Sequence, residues 1–440
     1  MADWTQLPKE LLDLISKSLD KSFDVSRFRS VCSTWRSSVT SPKRHRLAPR
    51  FPVLPDDGGI SDTSFGFCLS KRIVFLLGSP ETNIQADSSA SWVIKIEEDV
   101  PNNRIQLLNP LSRSRFDSLP YNFPKPLNLL DFRVFELGEE YVLHYLNYHS
   151  YLGDVGNLYM EKVVVSCLDN NVNDFVLLTI HVSGKLAMFK SSEKKWTIIE
   201  DMPSPYDDVI LYKGNFYAVD NTGRTVHVGM DFETSVVGMP VFGGDKKFLV
   251  ESKGELLLVD MYLSFEAEEG SCSWTGLGFV EEYFENLAIY MNERTVRFKV
   301  FQLDEVGKEW VEVKNLDDRV LFLGDDFTFS ASAKDLSVCR GNCIIFADNF
   351  FYSLGAEDGQ SERCDVGVFD LENGSIGPLG KFPQFSKLFW PPPRWISSTT
   401  LDVSILLCIL VILVEFYVLS IRYGYCNFDE DSNFKSKNHA

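Results

Sequence analysis

Three acidic doublets, Asp207-Asp208, Asp317-Asp318 and Asp325-Asp326, are the residues best suited to chemistry in this chain. Paired carboxylates can act as acid and base or hold a hard cation. Neighbours on an extended strand point to opposite faces, however, so turns and solvated loops account for the doublets better than a shared site. His144, His149, His181 and His227 stand alone, and Cys339 with Cys343 lacks a second pair to complete four zinc ligands. No Gly-x-Gly-x-x-Gly, Gly-x-Ser-x-Gly or His-Glu-x-x-His occurs. The residues point to a non-catalytic chain with no cofactor and no metal.

The elements that must carry these residues are strands. Apolar runs recur as "RIVFLL" from Arg72, "SWVIKI" from Ser91, "FRVFEL" from Phe132, "KVVVSCL" from Lys162, "DFVLLTIHV" from Asp174 and "TVRFKVFQL" from Thr295. A weak echo joins others, each a turn opening into a buried strand: "GKLAMF" at Gly184, "GNFYAV" at Gly214, "GELLLV" at Gly254 and "GNCIIF" at Gly341. "KKWTII" at Lys194 and "KEWVEV" at Lys308 repeat a Trp strand. Spacings near 40 to 50 residues are those of four-stranded propeller blades, which bury both faces only by stacking around an axis. Residues 51–395 are therefore expected to form a β-propeller of six to eight blades, with a pair of β-sandwiches as the competing fold.

The first forty residues follow another pattern. Pro8 suits a first helical turn, and Leu11, Leu12, Ile15 and Leu19 recur at helical spacing with Lys9, Glu10, Asp13 and Lys17 largely opposite. After a break, Ser22 or Asp24 caps a second helical segment carrying Val25, Phe28, Val31, Cys32, Trp35 and Val39. So small a unit cannot cover its own apolar surface, and a partner is expected to supply the missing wall.

Charge and cysteine content exclude other classes. The net charge is −19, with ten Lys/Arg against five Asp/Glu in residues 1–50 and 33 against 57 in the rest. That acidic body repels a phosphate backbone, so nucleic acid is not an expected partner. "PKRHR" at Pro42–Arg46 suits a solvated linker better than a nuclear-import patch. Nine scattered cysteines without a Cys-x-x-Cys pair, behind an N-terminus without a signal-peptide core, fit free thiols in a reducing compartment.

The order Leu7-Pro8-x-x-Leu11-Leu12-x-x-Ile15, then Asp24-x-x-Arg27, then Val31-Cys32-x-x-Trp35-Arg36 resembles the F-box, the module that binds the Skp1 adaptor of cullin-based ubiquitin ligases. The resemblance covers residues 3–45 and implies that Leu7, Pro8, Leu11, Leu12, Ile15, Val31, Cys32 and Trp35 bind Skp1, some of them serving instead as the module's own core. The body, through "DDVILYKGNFYAVDNTGRTVHV" from Asp207, "KFLVESKGELLLV" from Lys247, "CRGNCIIFAD" from Cys339 and "PPPRW" from Pro391, resembles plant F-box proteins with a kelch-like domain of uncharacterised function. In that family the domain is inferred to select substrates. Gly214, Tyr217, Asp220 and Gly254 are expected to be turn and packing positions.

The last signal is "VSILLCILVILVEFYVLSI", residues 403–421, fourteen of whose nineteen residues are Val, Ile, Leu or Phe. A helix of that length spans roughly 28 Å, close to a bilayer's hydrocarbon core. Fourteen such residues offset Glu415 on an insertion scale. The expectation is a tail anchor with the bulk of the chain cytosolic, the alternatives being a helix folded onto the body or a reading frame carried past its usual stop. The expected architecture is mainly β: a helical F-box, a propeller and a hydrophobic C-terminal helix. The expected function is substrate recognition in a Skp1-cullin-F-box ligase of the cytoplasm or nucleus, with a membrane-anchored binding scaffold as the alternative.

Overall fold

The computed structural model describes residues 7–17, 19, 22–39, 51–52, 66–78, 91–99, 104–113, 123, 132–145, 160–167, 174–181, 183–201, 203–267, 291–347, 366–389, 391–393 and 396. The chain divides into two compact units, Met1–Tyr121 with Lys125–Pro393 and Asn122–Pro124 with Arg394–Ala440. Among the described residues, the helical module and every strand lie in the first.

Three short helices open the chain: α1 (Lys9–Lys17), α2 (Ser22–Ser30) and α3 (Ser33–Ser38). Twenty-two strands follow among the described residues, and all six apolar runs singled out above lie within them, apart from a residue or two at some ends. The first group is β1 (Phe51–Pro52), β2 (Gly66–Gly78), β3 (Ser91–Asp99), β4 (Arg104–Leu108) and β5 (Arg133–Tyr145), ordered β4-β3-β2-β5 with β1 on β2. The second is β6 (Met160–Cys167), β7 (Phe175–His181), β8 (Leu186–Lys190) and β9 (Lys195–Ile199), joined to the first by the single pair Tyr141↔Val163. The third is β10 (Tyr206–Tyr212), β11 (Asn215–Asp220), β12 (Thr225–Val228) and β13 (Thr234–Gly238). The fourth is β14 (Lys246–Ser252), β15 (Glu255–Ala267), β16 (Met291–Asp304) and β17 (Glu309–Val313). The fifth holds β18 (Arg319–Leu323), β19 (Thr328–Ser332), β20 (Cys343–Ala347), β21 (Val366–Asp370) and β22 (Ile376–Pro378), ordered β19-β18-β20-β21-β22 with β18 and β20 parallel.

These five groups are blades, because each buries both faces against its neighbours. On β7 every residue is buried. Phe175 and Leu177 face a core shared with Leu69 and Leu143 of the first blade, and Val176, Leu178 and Ile180 face one shared with Val209 and Phe216 of the third. The period of two explains a continuous apolar run where a sheet with one wet face would alternate. The third and fourth blades enclose Ile210, Val219, Leu249 and Leu258, and the fourth and fifth enclose Val259, Val300, Leu321 and Ile344. Val320, Phe322 and Ile345 of the fifth meet Val74, Leu76 and Val93 of the first. Five cores between five blades close the ring among the described residues, with β5, β6, β10, β14 and β19 as its inner strands.

Among the described residues the blades number five, against the expected six to eight. The echo at Gly184 opens a third strand and those at Gly214 and Gly254 open second strands, so only the spacing of 40 between the latter two measures a blade. The fourth blade is also long, β15 and β16 having 13 and 14 residues with residues 268–290 between them. Residues 403–421 lie outside the described residues, and among the described residues no helix is long and apolar enough to cross a membrane.

Candidate functional site

Two places on the chain can act on partners: the helical module and the channel inside the ring. In the module, the carbonyl of Pro8 accepts from the N–H groups of Leu11 and Leu12, both at 3.1 Å, which starts α1 where the proline fixes the backbone. Leu12 is fully buried, and Phe28 is buried on α2 with its ring 4.6 Å from that of Trp35 on α3. These form the module's own core. The end of α3 is closed by arginine, Arg29 donating from Nη1 to the carbonyls of Arg36 (2.8 Å) and Val39. Helix C-termini leave such carbonyls without intrahelical partners.

Outside that core lies a different set. Leu11 is 45% exposed, Leu14 63%, Ile15 37% and Val31 49%. Pro8 is exposed as well, and Leu7, Cys32 and Trp35 are half-buried. Of the eight residues expected to bind Skp1, Leu12 is therefore turned inward, while Leu11, Ile15 and Val31 present apolar surface to solvent. Leu14 was not expected, yet it is the most exposed large apolar residue of α1. At about 100° per residue Leu14, Leu11 and Ile15 span one arc of roughly 100°, with Leu12 next to it. The module is fixed to the first blade by Arg27, whose Nη1 and Nη2 donate to the carbonyls of Val134 and Phe132, both at 3.2 Å.

The channel is lined from all five blades, among others by Glu139, Lys162, Ile210, Glu251, Arg319 and Thr328, and encloses about 560 Å³. A clasp of buried polar groups ties its inner strands. Asp208 on β10 accepts from Lys162 Nζ on β6 (2.9 Å to Oδ1) and from the Leu249 N–H on β14 (2.7 Å to Oδ2). Lys162 Nζ also lies 3.1 Å from Thr328 Oγ1 on β19, which donates to the Leu249 carbonyl at 2.5 Å. A second clasp holds the first and fifth blades: Glu140 pairs with Arg72 (2.8 Å) and Lys95 (3.0 Å), and Asp326 with Arg113 (2.5 Å).

Two of the three acidic doublets thus differ from their expected place. Asp208 and Asp326 are buried, because each is needed between blades as the countercharge of a buried cation. Asp207 accepts from the Lys247 N–H at 2.9 Å, and burial pushes its carboxyl up to about 6. Asp317 and Asp318 are exposed, as a turn requires. Gly214 and Gly254 sit at φ +76° in hairpin turns, a region that favours glycine. Asp220 is buried, its Oδ1 accepting from the Thr222 hydroxyl (2.6 Å) and the N–H groups of Thr222 and Arg224. Cys32, Cys167, Cys339 and Cys343 are free thiols; burial pushes that of Cys343 up to about 11. His181 is a packed residue, its Nδ1 2.7 Å from Ser183 Oγ.

Comparison with known proteins agrees with this division. Residues 4–47 match the F-box domain, and residues 69–370 match the family described as the KIB1-4 beta-propeller. The F-box protein SKIP23 of Arabidopsis thaliana is 53% identical over 406 residues, which are 90% of this chain and 96% of the relative. The F-box protein At2g17036 of the same plant is 39% identical, covering 91% of this chain and 96% of its own length. The putative F-box/kelch-repeat protein At5g24040, also from that plant, is 29% identical over 90% of this chain and all of its own. The two domain matches and relatives that align nearly end to end place this chain in the family of F-box proteins that carry a KIB1-4 beta-propeller.

Proposed function

We propose that the chain is the substrate-recognition subunit of a Skp1-cullin-F-box ubiquitin ligase. The observation that supports this most directly is the apolar face of α1, where Leu11, Leu14 and Ile15 stay exposed although the module has a core of its own in Leu12 and Phe28. An exposed apolar cluster on a fixed helix fits a protein partner. In this reading Leu7, Pro8, Leu11, Leu14, Ile15 and Val31 meet Skp1, with Cys32 and Trp35 at the edge. The propeller holds the target near a ubiquitin-loaded enzyme, raising the effective concentration of its lysines. Catalysis belongs to other subunits. Domain limits of 3–45 and 51–395 go with this assignment.

Replacing Leu11 and Ile15 by glutamate tests it. Capture of Skp1 and of cullin from plant extract is expected to vanish with the propeller still folded, and undiminished capture would falsify the assignment.

A second reading rests on the apolar run 403–421. Here the tail holds the protein on a membrane and the propeller binds partners without ubiquitin transfer. Carbonate washing of membranes that carry the full chain separates the two arms: retention supports an anchor, and release counts against one.

A further inference from the structure

Most charges on the channel wall already have a countercharge. Lys162 is held by Asp208, Glu139 by Lys71, and Asp326 by Arg113, while Lys253 lies 3.3 Å from Asp318 at the surface. Arg319 differs. Its Nη2 donates to Ser330 Oγ at 2.5 Å and its Nε lies 3.4 Å from Ser252 Oγ, and among the described residues it makes no ion pair. A guanidinium has five N–H donors, so three remain for something else. Burial lowers its proton affinity in spite of Asp318 and Asp335, as expected of a half-buried cation whose countercharge is incomplete. Glu136 and Glu251 also line the channel, but neither is among the charges that act most on Arg319.

Ser252, held by Ser330, completes a donor set. Ser330 donates to Ser252 Oγ at 3.1 Å, and because Arg319 also donates to that oxygen, the Ser252 hydroxyl hydrogen is left to point elsewhere. Lys253 is tied only by exposed pairs to Asp318 (3.3 Å) and Asp317 (3.9 Å), which cost little to break. Fork, hydroxyl and ammonium together exceed what the two oxygens of a carboxylate accept. They match the three oxygens and near-double charge of a phosphate ester.

We propose that Arg319, with Ser252, Ser330 and Lys253, forms a site at the channel for the phosphate of a phosphate monoester. The channel volume of about 560 Å³ admits one phosphorylated side chain or a small phosphorylated metabolite. A polyanion is disfavoured by the 57 acidic residues of the body. The site does not rest on the ligase reading; combined with it, target choice becomes dependent on phosphorylation.

The test is calorimetric titration of the full-length protein with phenyl phosphate, inorganic phosphate, and a phosphoserine peptide beside its unphosphorylated and aspartate counterparts, all at constant ionic strength. The wild type is expected to bind phosphorylated probes, and Arg319→Met to bind them at least about tenfold more weakly, the loss of one charge-assisted fork. Ser330→Ala should weaken them a few-fold. Should Arg319→Met not fold, Arg319→Lys and Ser330→Ala carry the test. A phosphopeptide tighter than inorganic phosphate identifies a target-borne group, and equal affinity identifies a free phosphate compound; both sustain the site. Silence toward every phosphorylated probe, equal binding by wild type and variants, or preference for the aspartate peptide overturns it. Skp1 capture is unaffected in each case, which separates this test from that of the ligase reading.

Discussion

Asp208→Ala removes the centre of the clasp that holds four blades, and its cost follows from what is left behind. Lys162, 6% exposed, keeps its charge and loses its carboxylate, while the Leu249 N–H loses its acceptor in a buried site. Breaking a buried pair by deleting one partner costs about 3 to 5 kcal/mol, most of it the stranded charge. Against a total stability of about 5 to 15 kcal/mol that is a fifth or more for one side chain. Urea unfolding followed by the fluorescence of the buried Trp92 and Trp196 measures it. The control is the double variant Asp208→Leu with Lys162→Met, which removes both charges and should recover most of the loss, because apolar replacement of a buried pair is often neutral or stabilising. A single variant that loses less than about 1 kcal/mol, or a double variant as unstable as the single, would refute the reasoning.

Three further outcomes are expected. Asp207 holds its proton more tightly in the folded chain than in the unfolded one, so its contribution is fully present below about pH 4 and is lost as the pH rises through about 6; Asp207→Asn should flatten a fall of about 3 kcal/mol in a pH series of unfolding curves. Gly341→Ala puts a Cβ 2.3 Å from the backbone of Asp318, which cannot swing aside, and should cost about 1 to 3 kcal/mol by the same assay. Arg27→Ala frees the helical module from the carbonyls of Phe132 and Val134; Skp1 affinity should be kept while amide exchange in α2 quickens, and unchanged exchange would show that the contact holds nothing in place.

Much of this fold was legible in local pattern, and the failures have physical causes. The strand runs were found because buried blades make continuous apolar segments such as "FVLLTIH". Their number was not, since different strands of a blade share one turn chemistry: Lys194, Lys213, Lys253 and Lys308 all take positive φ, in third-to-fourth and first-to-second strand turns alike. On α1 the apolar spacing gave the helix but not the sense of its arc. Leu12 and Leu11 are equally apolar, and only the tertiary packing of the module decides which is core. Leu14 was passed over for that reason, although its place about 60° from Leu11 on the wheel, on the side away from Leu12, was a usable signal. Asp208 and Asp326 were assigned to solvent because their partners, Lys162 and Arg113, lie 46 and 213 residues away. Charge pairs across blades leave no mark in local sequence.

The proposed role of the helical module is tested most directly by its affinity for Skp1. The exposed fractions of Leu11, Leu14, Ile15 and Val31 amount to about two whole aliphatic side chains. Covering them is worth about 3 to 6 kcal/mol, or roughly two to four decades in Kd. Titrating purified Skp1 into the wild type and into a variant with all four residues replaced by alanine should therefore show a loss of at least about a hundredfold, with the propeller's unfolding curve unchanged. Equal affinities for the two folded proteins would contradict the account.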